Sequence, residues 1–125
     1  MLELGTGSGA IAITILAECP EASCVATDIS KDALDTASRN SKTYGVDDRL
    51  KLLASNWFQE ISGKFDIIVS NPPYISEDEY NELSPEVYRY DPKISLTLGG
   101  DGLNAYRIIT SQARDKLTKN GRVFL

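Results

Sequence analysis

Leu2-Glu3-Leu4-Gly5-Thr6-Gly7-Ser8-Gly9-Ala10-Ile11-Ala12-Ile13-Thr14-Ile15-Leu16-Ala17-Glu18 decides the fold. The first three residues read as the tail of a strand, and residues 5–9 as a glycine-rich turn. Residues 10–18 are apolar almost all round, which predicts a helix buried against a sheet, and Pro20 ends it. Working outward, residues 23–28 read as a second strand. Ser30 is an N-cap for a helix over 31–44, and Gly45 stands where a C-cap glycine belongs. In that helix Ala33, Leu34, Thr36 and Ala37 form the inner stripe, while Lys31, Asp35, Arg39 and Lys42 face water. Residues 50–53 and 65–70 read as a third and a fourth strand. A long polar segment covers 76–101. A helix over 103–119 places Leu103, Tyr106, Ile109, Ala113 and Leu117 on one face. A terminal strand begins at Gly121. This alternation predicts an α/β, Rossmann-like, doubly wound and mainly parallel sheet. In such sheets ligands bind at the carboxyl ends of the strands, where the strand order reverses.

Bulk properties narrow the classes. A chain of 125 residues with 42% hydrophobic and 25% charged content is expected to make one domain. Both ends fall inside expected strands, so a piece of a longer protein that lacks the last strands of its sheet is expected. No apolar run approaches the roughly 20 residues needed to span a bilayer, and no signal peptide is visible. Cys19 and Cys24 lack metal-site spacing, and the chain contains no histidine. No metal is expected, and a cytoplasmic protein with reduced thiols is. Net charge is −5, and the acidic residues Glu77, Asp78, Glu79, Glu82 and Glu86 follow the fourth strand. Direct nucleic-acid binding is disfavoured. The acidic run is expected to be a solvated surface, with a mobile cover over a substrate entrance as its functional reading.

Gly5-Thr6-Gly7-Ser8-Gly9 joins strand to helix, where glycines allow a tight turn and close approach of a ligand. The following helix offers unpaired N–H groups to an acceptor. Asp28-Ile29 ends the second strand, and a carboxylate there is suited to both hydroxyls of a ribose. These features read as an adenosine-cofactor site. Gly5-x-Gly7-x-x-Ala10 also satisfies the dinucleotide fingerprint, so S-adenosylmethionine and a nicotinamide or flavin dinucleotide both remain open on this loop. Asn56 and Trp57, after the third strand, are placed to bond and cover an adenine, or else Trp57 and Phe58 pack at the edge of the core.

Asn71-Pro72-Pro73-Tyr74 follows Phe65-Asp66-Ile67-Ile68-Val69-Ser70. Both prolines lack an N–H and have nearly fixed φ, and the residue before each is kept out of the helical region. Such a corner holds a carboxamide, a free carbonyl and an aromatic face in one orientation, suited to a planar amide or amino group.

Taken in order, the loop, Asp28 and this corner resemble the class I S-adenosylmethionine methyltransferases that modify planar nitrogen. The closer resemblance is to the release-factor glutamine methyltransferases, the HemK/PrmC family. It is carried by residues 4–12, Asp28-Ile29-Ser30, Asn56-Trp57-Phe58, residues 65–75 and Gly100-Asp101-Gly102-Leu103. The resemblance implies that residues 1–125 are a truncated S-adenosylmethionine-binding domain without the family's N-terminal helical substrate domain. It implies that Gly5, Thr6, Gly7, Ser8 and Gly9 carry the methionine end of the cofactor. Asp28 would meet the ribose and Trp57 the adenine, with Ile29 and Asn56 also among the cofactor-binding residues. Asn71 and the Pro72 carbonyl would bind a glutamine amide, with Pro73 stiffening the corner and Tyr74 against the amide plane. The partner implied is a peptide chain release factor. Three alternatives stand beside it. One is another Asn-Pro-Pro-Tyr methyltransferase, acting on ribosomal-protein glutamine or nucleic-acid adenine N6. The second is a dinucleotide-dependent oxidoreductase. The third is a non-catalytic fragment associating through its open sheet edges.

Overall fold

The computed structural model describes residues 1–84 and 92–125. Glu86, the last residue of the acidic run, lies outside the described residues. The chain forms two compact units, one of Met1–Asn71 with Gln112–Leu125 and one of Pro72–Ser111.

The first unit is built on a five-stranded sheet, β1 (Leu2–Leu4), β2 (Cys24–Asp28), β3 (Leu50–Ala54), β4 (Phe65–Ser70) and β5 (Leu117–Phe124), in the order β3-β2-β1-β4-β5. Every pairing is parallel. β1 is central, and all three of its residues are buried. The chain moves from β1 through β2 to β3 on one side, then returns to lay β4 on the other side of β1. That return is the reversal of strand order predicted to mark a ligand site.

Helix α1 (Ala10–Glu18) runs from β1 to β2. It buries only Ala12, Ile13 and Leu16, whereas Ala10, Thr14 and Ala17 are exposed. Burial all round, as its composition predicts, is not what is found. One face meets Cys24, Ala26, Val46 and Leu50 in the core, and the other carries small residues that expose little apolar area. Helix α2 (Lys31–Thr43) begins at Ser30, whose Oγ accepts from Ala33 N–H at 3.3 Å. Gly45 follows it with φ of +64°. Asp32 in its first turn and Lys42 in its last complement the helix dipole. Ala37 and Ser41 are its buried residues, with Ala33, Leu34 and Thr36 half-buried.

β5 starts at Leu117, four positions ahead of the expected Gly121. Leu117 pairs with Phe65, but the next partners are Arg122 and Ile67, so the pairing is irregular there. The helical periodicity runs on through Leu117, yet pairing with β4 overrides it. Thr118 Oγ1 donates to Asp66 Oδ1 at 2.9 Å in this stretch.

The second unit holds α3 (Glu77–Asn81), α4 (Lys93–Leu96) and the first turns of α5 (Asn104–Lys116). The polar segment over 76–101 contains α3 and α4, which the sequence reading did not assign. Ser76 accepts from Glu79 N–H at 3.3 Å, and Glu79 Oε2 accepts from Ser76 N–H at 3.0 Å, a complete capping box. Ser76 Oγ also donates to Glu79 Oε2 at 2.7 Å, and this bond, followed by that from Ser76 N–H, holds the Glu79 carboxyl below its usual range. α5 begins after Leu103, and its buried stripe is Ala105, Ile109 and Ala113. Leu103, at 49% exposed, and the half-buried Tyr106 are not part of it. No helix among the described residues is long and apolar enough to cross a membrane. No group of three metal-ligating side chains occurs among them either.

Candidate cofactor rim and amide corner

The glycine turn leaves β1 at the centre of the sheet and is fastened by bonds to β2 and α2. Thr6 N–H donates to the Thr27 carbonyl of β2 at 2.8 Å. Gly7 N–H donates to Asp28 Oδ2 at 2.8 Å. Asn40 of α2 donates through Nδ2 to the Ser8 carbonyl at 2.9 Å. Gly9 closes the turn with φ of +83°, and a Cβ there would lie 2.8 Å from Ile13 Cδ1 and 3.1 Å from Ala37 Cβ. Glycine is therefore required at position 9 both by conformation and by the approach of α1 to α2.

Asp28 accepts from Gly7 N–H on one oxygen and from Ser30 N–H, at 2.9 Å, on the other. A carboxylate has about four acceptor sites. Two backbone N–H groups orient it and leave acceptor capacity on each oxygen, which fits a pair of vicinal hydroxyls. Ile29 beside it is 56% exposed.

Sequence reasoning passed over Glu3. This residue is 1% exposed in the middle of β1. Its Oε2 accepts from Thr6 Oγ1 at 2.6 Å and from Ala12 N–H at 3.1 Å. It thus ties the start of the turn to the first turn of α1. Burial raises its pKa, and the Asp28 charge adds to the rise, against the lowering effect of the Thr6 and Ala12 hydrogen bonds. The available signal was a lone acid between two leucines in a strand too apolar to hold one unpaired.

β3 ends beside β2, with Ser55 N–H donating to the Asp28 carbonyl at 3.0 Å. Ser55 Oγ donates to the Trp57 carbonyl at 2.9 Å and accepts from Glu60 N–H at 3.1 Å. The turn built around this hydroxyl leaves Asn56 exposed, Trp57 half-buried and Phe58 buried. Trp57 has φ of +52°, a conformation that costs a bulky residue energy and persists only where its surroundings enforce it. Phe58 packs in the core at 4% exposed, as core packing at this edge predicts, whereas Trp57 keeps part of its surface uncovered.

β4 lies against β1 with Leu4 paired to Ser70, and Ser70 Oγ donates to the Leu4 carbonyl at 2.8 Å. Gly5 and Asn71 therefore leave adjacent parallel strands at the same rim. Asn71 is exposed. Residues 5–9, Asp28, Ile29, Asn56, Trp57 and Asn71 all stand at the carboxyl ends of β1 to β4, and of these the Gly7–Asp28 pair is joined by a direct bond. In the second unit Pro72 is buried, Pro73 half-buried and Tyr74 61% exposed.

A parallel sheet of this order, with a glycine turn after its central strand and an acid after the next, defines the class I methyltransferase form of the Rossmann-like fold. A crystallised S-adenosylmethionine-dependent methyltransferase from Thiobacillus denitrificans, in complex with S-adenosyl-L-homocysteine, shares it. The TM-score is 0.62 at 15% identity, over 98% of this chain and 39% of that one. The chain belongs to the methyltransferase small domain family, whose model matches residues 1–87. It is 51% identical over 123 residues to the release factor glutamine methyltransferase of Agrobacterium fabrum, which covers 98% of this chain and 43% of that protein. It is 52% identical over 126 residues to the bifunctional methyltransferase of Rickettsia felis, covering 100% of this chain and 24% of that protein. The chain spans less than half the length of these relatives.

Proposed function

We propose that this chain belongs to the S-adenosylmethionine-binding domain of an enzyme that methylates the side-chain amide nitrogen of a glutamine in a peptide chain release factor, a cytoplasmic reaction. The observation that carries this reading is the pairing of Leu4 with Ser70, which brings the glycine turn and Asn71 out at neighbouring strand ends. The names of the relatives support the choice of glutamine and release factor.

The residues fit the cofactor. Asp28 is oriented by two N–H groups with acceptor capacity left for ribose hydroxyls. Residues 5–9 offer backbone and little side chain to the methionine end, and Trp57, in its enforced conformation, offers a face to adenine. When bound, S-adenosylmethionine supplies an electrophilic methyl on a sulfonium.

The protein's task lies on the accepting side. An amide nitrogen is a weak nucleophile because its lone pair is delocalised into the carbonyl. Two acceptors directed at the NH₂ hydrogens, the Asn71 side-chain oxygen and the Pro72 carbonyl, favour positive charge on that nitrogen and oppose the delocalisation. Pro73 stiffens the bend, and Tyr74 flanks the amide plane. This is positioning and electrostatic preorganisation. A dedicated base is not required, because the methylated nitrogen is acidic and loses its proton to water.

The test is methyl transfer from labelled donor to a release factor, with the modified residue mapped by mass spectrometry. Label on a glutamine amide is expected. Label on an adenine or a ribosomal protein would replace the substrate assigned here. Asn71→Ala should lower kcat on the order of 10²-fold with cofactor saturating, and an unchanged rate would remove Asn71 from the chemistry.

A further inference from the structure

The segment Gly99-Gly100-Asp101-Gly102-Leu103 takes no part in the chemistry assigned above, yet it is packed against the residues that follow the amide corner. Gly102 is buried, with φ of +77°. A Cβ on it would lie 2.3 Å from the Tyr74 carbonyl oxygen and 3.2 Å from Ser76 N. Both are backbone atoms, which cannot swing aside as a side chain does. Two hydrogen bonds hold the same stretch: Ile75 N–H to the Leu96 carbonyl at 3.0 Å, and Glu77 N–H to the Gly100 carbonyl at 2.9 Å.

The turn is itself closed. Asp101 Oδ1 accepts from Leu103 N–H at 3.1 Å, and its carboxylate takes both arms of the Arg107 guanidinium, at 2.8 and 2.6 Å. Asn104 Nδ2 donates to the Gly99 carbonyl at 3.2 Å. An exposed pair of this kind contributes little to global stability, but a bidentate one fixes local geometry.

We propose that the 99–103 turn, closed by the Asp101–Arg107 pair, is the positioning element for Tyr74. Prolines 72 and 73 restrict the backbone ahead of Tyr74, and the turn restricts it behind. The ring, 61% exposed, is then left with little freedom beyond its own side-chain rotations. The inference rests on reading residues 71–74 as the amide-binding corner, and it makes Gly102, Asp101 and Arg107 positioning residues for that corner.

The test compares full-length wild type, Gly102→Ala and Arg107→Gln by amide hydrogen exchange at Ile75 and Glu77 and by methyl transfer to a release factor. Exchange at both amides should quicken roughly tenfold or more. kcat should fall on the order of 10²-fold in Gly102→Ala and less in Arg107→Gln, with the KM for S-adenosylmethionine unchanged in both. Should Gly102→Ala fail to fold, Arg107→Gln carries the test. Faster exchange with normal kcat overturns the proposal, as does unchanged exchange in both variants. Wild type inactive on release factors would count against the assigned substrate alone, and the exchange readout would then decide the positioning claim.

Discussion

Glu3 ties the glycine turn to α1 through a carboxyl that is almost wholly out of water. Its pKa stands above the ordinary 4.5, chiefly because burial penalises the charge. The folded protein therefore keeps this proton to a higher pH than the unfolded chain does. The stability contribution is complete below the unfolded value and is lost as the pH rises through the folded one. Glu3→Gln keeps an oxygen for Thr6 and Ala12 without the titration. Its urea midpoint should fall less than that of wild type as pH is raised from 4.5 toward neutrality. Equal slopes would show that Glu3 is not responsible. A neighbouring acid on β2, Asp28, was legible from its spacing after the glycine turn. Glu3 showed only as a lone acid between two leucines, because alternation in a three-residue strand says nothing about which faces are covered; both faces of β1 are.

At the scale of elements, α1 ends without a basic residue in its last turn, and help comes from outside it. Arg49 Nη2 donates to the Leu16 carbonyl at 2.8 Å, and Nη1 to the carbonyls of Cys19 and Ala22 at 3.1 Å each. Carbonyls at a helix end lack intrahelical partners, and a guanidinium meets several of them at once from a planar fork. Arg49→Ala should cost about 1.5–3 kcal/mol, the range for hydrogen bonds to charged groups. Arg49→Lys should recover only part of this, since an ammonium cannot span three carbonyls in one plane. Urea denaturation of both variants decides it, and equal stability of the two would sink the fork argument. Helices α1 and α2 and strand β4 were legible almost to the residue, because proline, Ser30 and a short apolar run mark their ends. The Ser76-x-x-Glu79 box of α3 was equally visible, but its five residues, three acidic and none basic, show no apolar stripe. The start of β5 had no local signal at all. It depends on pairing with Phe65, some fifty positions away along the chain.

For the molecule as a whole, the candidate ligand rim follows from the strand order of the sheet. β2 and β4 flank β1, so the turns after all three emerge on one rim. The glycine turn alone left S-adenosylmethionine and a dinucleotide open, and only ligand binding discriminates between them in solution. A ligand held at about 100 times its Kd stabilises the folded state by about 2.7 kcal/mol. S-adenosylmethionine or S-adenosylhomocysteine should raise the unfolding free energy by that amount, and NAD should leave it unchanged. Asp28→Asn should abolish the gain for a specific reason. Each Asp28 oxygen accepts a backbone N–H, so an amide NH₂ at this position must face either Gly7 or Ser30, donor against donor. The variant loses an acceptor for ribose and disturbs the turn that carries the methionine end. Stabilisation of Asp28→Asn equal to that of wild type would mean that the cofactor does not bind at this rim, and the assignment of residues 5–9 would fall with it.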